Sequence, residues 1–270
     1  MDRIGTRPFA RQRNAVLALL LAVTAAAWLY LAWRASGMAM PAGSPTMGLR
    51  APPFLLVWIV MMIGMMFPAA APMVLTFHRV QFSKRARGDP FVATWVFVAG
   101  YLLVWALAGA VAYAGATGAE LLAASARLSV PTIGRIGGGI LFIAGIYQLS
   151  PLKDVCLSKC RTPMTFIVTA WREGIGGALR MGILHGVFCL SCCWLLFVTL
   201  FLLGIMNIAA MATITALVFA EKTFPRGDRV AAAVGMALLL YGVLVLTLPD
   251  ALPTFPTGSP TEMPMSGRAG

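Results

Sequence analysis

Apolar residues run along this chain in seven stretches: 15–33, 54–77, 91–116, 132–149, 180–203, 207–220 and 230–248. Each is separated from the next by a short segment rich in charged residues, glycine or proline. A helix rises 1.5 Å per residue, so about 20 apolar residues cross a hydrocarbon core about 30 Å thick. The pattern predicts an all-α, polytopic transmembrane helical bundle of about seven spans. It divides the chain into a basic N-terminal segment, 1–14, a membrane domain, 15–248, and a Pro-, Thr-, Ser- and Gly-rich outer tail, 249–270, expected to be disordered. The first run follows Arg3, Arg7, Arg11 and Arg13 and contains Ala25, Ala26 and Ala27, as a cleaved signal peptide would. It is long for that role and ends in the interfacial aromatic residues Trp28, Tyr30 and Trp33, which favours a retained first span. Pro68 is expected to kink span two, and Gly134, Gly137, Gly138, Gly139 and Gly145 to let span four pack closely.

Composition and charge strengthen this reading. The 270 residues are 60% hydrophobic and 11% charged, with a net charge of +12. Sixteen of the 21 basic residues fall in alternate connections: before span one, after span two, between spans four and five, and between spans six and seven. That is a positive-inside bias with the N-terminus cytoplasmic. The positive charge therefore reads as topology and contact with anionic lipid, and no nucleic-acid partner is expected. No dinucleotide, P-loop or zincin signature occurs, and the nine acidic residues form no pair suited to acid–base work, so no enzymatic activity is expected.

The chemistry gathers in span five, where Met181, His185, Cys189, Cys192 and Cys193 fall within a helical arc of roughly 120° and Trp194 points the opposite way. Thiolates and thioethers select Cu(I), with Zn(II) as the competitor, and imidazole suits both. Coordination also offsets the expense of polar groups in hydrocarbon. Cys156 and Cys160, spaced i, i+4 in the cytoplasmic connection 150–178, add a second thiol pair. Adjacent Cys192 and Cys193 are poor disulfide partners within a regular helix. Auxiliary thioethers come from Met61, Met62, Met65 and Met66 in span two and from Met38, Met40 and Met47 in the outer loop, where burial would not explain them. Ordered by depth, Cys156 and Cys160 would lie at the inner surface, His185 one turn in, and Cys192 and Cys193 roughly 11 Å deeper. The span-two methionines would follow near the midplane and the loop methionines outside, a ladder that suggests a relay.

Three stretches carry a family resemblance. They are Trp58-x-x-Met61-Met62-x-x-Met65-Met66-x-Pro68; Tyr147-Gln148-Leu149-Ser150-Pro151-Leu152-Lys153-x-x-Cys156-x-x-x-Cys160-Arg161-x-Pro163; and Gly182-x-x-His185-Gly186-x-x-Cys189-x-x-Cys192-Cys193-Trp194, with Gly204-x-Met206-Asn207 and Glu221-Lys222 following. Over about residues 54–248 the chain resembles a bacterial family of predicted metal-binding integral membrane proteins, a domain of unknown function sometimes labelled copper chaperone. Ser191 stands where that family's glycine is expected. The resemblance implies metal binding by Cys156, Cys160, His185, Cys189, Cys192 and Cys193. The leading expectation is a multi-pass protein of the bacterial inner (plasma) membrane that handles Cu(I), with a metal-donor or acceptor protein as its expected partner. Three alternatives remain open: a membrane thiol/quinone oxidoreductase using the cysteine pairs, haem held by His78 and His185, and a structural membrane subunit.

Overall fold

The computed structural model describes residues 6–37 and 45–253. Among them the regular structure is helical: α1 (Thr6–Gly37), α2 (Ala51–Ala86), α3 (Thr94–Ser125), α4 (Val130–Gln148), α5 (Pro151–Arg161), α6 (Pro163–Ala170), α7 (Gly174–Leu203), α8 (Ile208–Thr223) and α9 (Gly227–Thr247), followed by a 3-10 turn at Pro249–Ala251. Helix starts follow local signals. The Ser129 and Ser150 hydroxyls cap α4 and α5 ahead of Pro131 and Pro151, and the Asn207 side chain accepts from the Ala210 N–H at 3.1 Å to cap α8. Gly204, with φ of 94°, ends α7 in a conformation that favours glycine.

Six of these helices (α1, α2, α3, α4, α7 and α9) are long and apolar enough to cross a membrane. The seventh expected span is α8, whose 16 residues reach only about 24 Å. This helix turns back against α7 and stops partway along it. Lys222, 14 residues after Ile208, meets Cys189, 14 residues before Leu203, at about 21 Å from the intervening turn. The Glu221-Lys222 pair, which reads in sequence as a polar turn, is thereby buried. The connection 150–178 is also not an open loop. It folds into α5 and α6, which bury Leu157, Cys160, Phe166 and Ile167 against α7, α2 and α8.

Two close approaches set the frame. Pro68 and Pro72 lie inside α2. Proline has no N–H to offer the carbonyl four residues earlier, so Pro68 leaves the Gly64 carbonyl without its helical donor. The Trp28 indole of α1 takes that place, donating to the Gly64 oxygen at 3.1 Å. Between α3 and α7, Gly182 lies on the backbone of Phe97, where a Cβ would collide with the Phe97 carbonyl, and Gly100 sits equally close to the Leu179 carbonyl. This contact brings Phe97 and Tyr101 directly over the middle of α7.

Elsewhere the outer face is better ordered than its composition suggests. Met47 is buried, with a left-handed φ of 56°, and the neighbouring Thr46 hydroxyl lies 3.1 Å from Glu120. Packing therefore accounts for this methionine after all, while Met38 and Met40 lie outside the described residues. On the same face, after α9, Leu252 packs against Leu141 and Val245, and the Tyr241 hydroxyl donates to the Ala251 carbonyl at 3.0 Å. Residues 254–270 of the expected tail lie outside the described residues.

Trp28→Phe keeps the ring but removes the donor, leaving the Gly64 carbonyl buried and unpaired. The variant is expected to lose about 1–3 kcal/mol of stability, read as a lowered thermal midpoint in detergent. Trp33→Phe, whose ring is 69% exposed, should melt like the wild type.

Candidate metal site

Helix α7 carries the site because its buried stripe meets α3, α5 and α8 at the level of Cys189, with α2 and α6 beside them. Met181, His185, Cys189, Cys192 and Cys193 are each 3% exposed or less, whereas Trp194 is 44% exposed on the other side. There the Tyr147 ring of α4 meets Trp194 edge-on, and the Tyr147 hydroxyl donates to the Ser191 carbonyl at 2.5 Å. All five cysteines are free. The Cys192 and Cys193 thiols both turn back to donate to the Cys189 carbonyl, at 3.1 and 2.9 Å. Both sulfurs are thereby directed one turn down the helix, towards Cys189.

Cys160 of α5 joins them. It is buried, and its thiol interacts with those of Cys189 and Cys192. Cys156, one turn earlier on α5, is half-buried. Burial pushes its thiol up, with Cys192 as the second cause. Cys160 is not a station separate from the α7 stripe: α5 folds back along α7 and brings it level with Cys189. The methionines of α2 shift in the same sense. Trp58 stacks on Phe201 at 6.1 Å and lies 6.4 Å from Phe197. Counting along the antiparallel helices puts Met65 and Met66 about level with Cys192 and Cys193. Met61, Met62, Met65 and Met66 are fully buried in the same core as the cysteines. Cys160, Cys189, Cys192, Cys193, Met65 and Met66 thus form one layer, with Met61 and Met62 about one turn beyond it.

His185 stands at the edge of this layer in an aromatic box. Its ring is stacked with Phe97 (5.9 Å) and Tyr101 (5.5 Å), and Phe166 lies edge-on at 5.7 Å. Both ring nitrogens are buried without a hydrogen-bond partner. Leaving a buried polar group unpaired costs about 1–3 kcal/mol, so an unpartnered imidazole beside thiols is a donor set that a soft cation would satisfy. The other histidine, His78, pairs its Nδ1 with the Thr94 hydroxyl at 3.1 Å and neighbours Phe82. Among the described residues no three His, Cys, Asp or Glu side chains form a ready-made polydentate cage.

Polar residues that carry no ligand signature complete the layer. The Tyr101 hydroxyl lies 3.2 Å from the Cys189 sulfur, and the Lys222 ammonium donates to the same sulfur at 2.8 Å. Beside them Lys153 forms an ion pair with Glu221 at 2.7 Å, both side chains being fully buried. Gln148 bridges the pair: its amide donates to Glu221 at 2.9 Å and its carbonyl accepts from Lys153. Lys153 and Lys222 count among the cytoplasmic basic residues in the sequence pattern, yet both are buried. The one signal that pointed to them was their place inside the Gln148-x-x-x-x-Lys153 and Glu221-Lys222 elements of the family resemblance.

The family PpoB2, described as copper chaperone, matches the chain over residues 55–245. Among curated proteins and among solved structures nothing matches.

Breaking a buried ion pair by removing one partner strands the other charge. Lys153→Met and Glu221→Gln are each expected to cost about 3–5 kcal/mol. The double variant should cost less than the sum of the singles, with the coupling measured by a double-mutant cycle in thermal unfolding.

Proposed function

The chain belongs to the PpoB2 family, described as copper chaperone, and from that premise we propose that it binds Cu(I) within the membrane and hands it on without catalysing a reaction. The observation that carries the reading is the convergence of thiols from two helices, Cys160 from α5 and Cys189, Cys192 and Cys193 from α7, beside an imidazole with two unpartnered nitrogens. Cu(I) accepts as few as two sulfur ligands, so pairs within this layer suffice for it, whereas a structural Zn(II) site wants four ligands in a tetrahedron. Met65 and Met66, level with the thiols, add thioethers that hold Cu(I) weakly and exchange it. Cys156, the half-buried thiol one turn along α5, is the point at which a soluble metal donor or acceptor would exchange the ion. The setting is a multi-pass protein of a bacterial inner membrane. Residues 1–33 act as a retained anchor, since α1 supplies the indole that pairs with the Gly64 carbonyl.

A second reading has its own observation. A cavity of about 940 Å³ opens between α3, α4 and α7, lined by Trp58, Trp105, Tyr147, Trp194 and Phe201, and it reaches Ser191 beside the cysteines. An apolar space of that size would admit a quinone ring and part of its tail, as a membrane thiol oxidoreductase requires. Free-thiol counts that stay constant on incubation with oxidised quinone would exclude it.

The copper reading is tested by titrating purified protein with Cu(I) under reducing, anaerobic conditions against a chromogenic chelator. Wild type should withdraw the metal stoichiometrically, and the Cys189/Cys192/Cys193→Ser variant should not. Equal uptake by the two proteins would end the idea.

A further inference from the structure

Helix α8 delivers a cation to the thiol layer. Lys222 is 7% exposed, and its ammonium donates to the Cys189 sulfur at 2.8 Å. The adjacent carboxylate does not neutralise it, because Glu221 is committed to Lys153 and Gln148. Among the described residues no carboxylate pairs with Lys222. A lone ammonium buried in apolar surroundings is expensive unless something of opposite charge lies beside it. The group beside it is the sulfur of Cys189, with the Tyr101 hydroxyl on the same atom.

The charge count then depends on what the thiols hold. A thiol gives up its proton when it binds a metal. Cu(I) between two thiolates carries a net charge of −1, which one ammonium cancels. Zn(II) between the same two thiolates is neutral, so the ammonium would remain uncompensated. In a low-dielectric layer that difference is not screened away. We infer that Lys222 is a specificity-determining residue, a fixed counter-charge that tunes the thiol layer for a monovalent soft cation over a divalent one. This rests on the Cu(I) reading of the same thiols.

Lys222 touches a proposed ligand and is not itself one, so its role is read in selectivity. Full-length protein in detergent is titrated with Cu(I) and with Zn(II) against chelators of known affinity, as wild type, Lys222→Met and Lys222→Arg. The Cu(I)-over-Zn(II) affinity ratio should fall roughly tenfold or more in Lys222→Met, the factor that corresponds to about 1.4 kcal/mol, and Lys222→Arg should restore most of it. An unchanged or larger ratio in Lys222→Met overturns the inference, including the case in which Cu(I) simply binds more tightly because a competing ammonium has gone. A measurement on wild type alone guards against a misfolded variant. Ag(I) and Cd(II) are both soft, closed-shell ions that differ in charge, and wild type must favour Ag(I); equal retention of the two also overturns the inference. Wild type that takes up none of these metals overturns the copper reading itself, an outcome distinct from uptake without charge selectivity.

Discussion

Placing ionised groups where water cannot reach them is the constraint around which this structure is arranged. Lys153, Glu221 and Lys222 are all buried, on two different helices, and each needs a partner that a third element supplies. Gln148 at the end of α4 satisfies the Lys153–Glu221 pair, and Cys189 in the middle of α7 receives Lys222. Four helices, α4, α5, α7 and α8, are therefore held in register at one level by polar contacts that hydrocarbon makes obligatory. Apolar packing alone would leave such helices freer to slide, since lipid tails compete for the same surfaces. Those fixed helices bring the thiols of α5 and α7 together.

The short length of α8 is what makes this possible. A longer helix would carry its polar terminus past the ends of α4 and α5, away from Gln148, Lys153 and Cys189. Stopping after 16 residues leaves them at the level of Cys189. Meanwhile the glycine contact between α3 and α7 draws Tyr101 onto the same sulfur and walls in His185 with Phe97. The site is thus assembled from a deficit of helix length on one side and a deficit of side-chain volume on the other.

Much of the fold could be read from the apolar runs, because spans are written in length and composition, and burial and backbone satisfaction leave few alternatives. The stripe on α7 was legible for the same reason: helical periodicity alone collects Met181, His185, Cys189, Cys192 and Cys193. What was not legible depended on tertiary return. Cys160 looks like a loop residue until α5 folds back along α7. Lys222 looks like one more exposed positive-inside residue until α8 brings it against Cys189. Met47 looks unexplained until the loop tucks it beneath the surface. Local sequence specifies where a helix starts, as Ser129, Ser150 and Asn207 do, but not how far into the bundle its end will reach.

The indole of Trp28 has a consequence for how the chain is built. Pro68 leaves the second helix with a carbonyl that nothing within that helix can pair, and the donor that relieves it comes from the first. Until the two are side by side, the second segment would enter the bilayer with a bare backbone oxygen at its middle. Biogenesis therefore favours insertion of α1 and α2 together, as a helical hairpin released from the translocon as one unit, with the backbone of the methionine-bearing helix already satisfied when the later helices arrive.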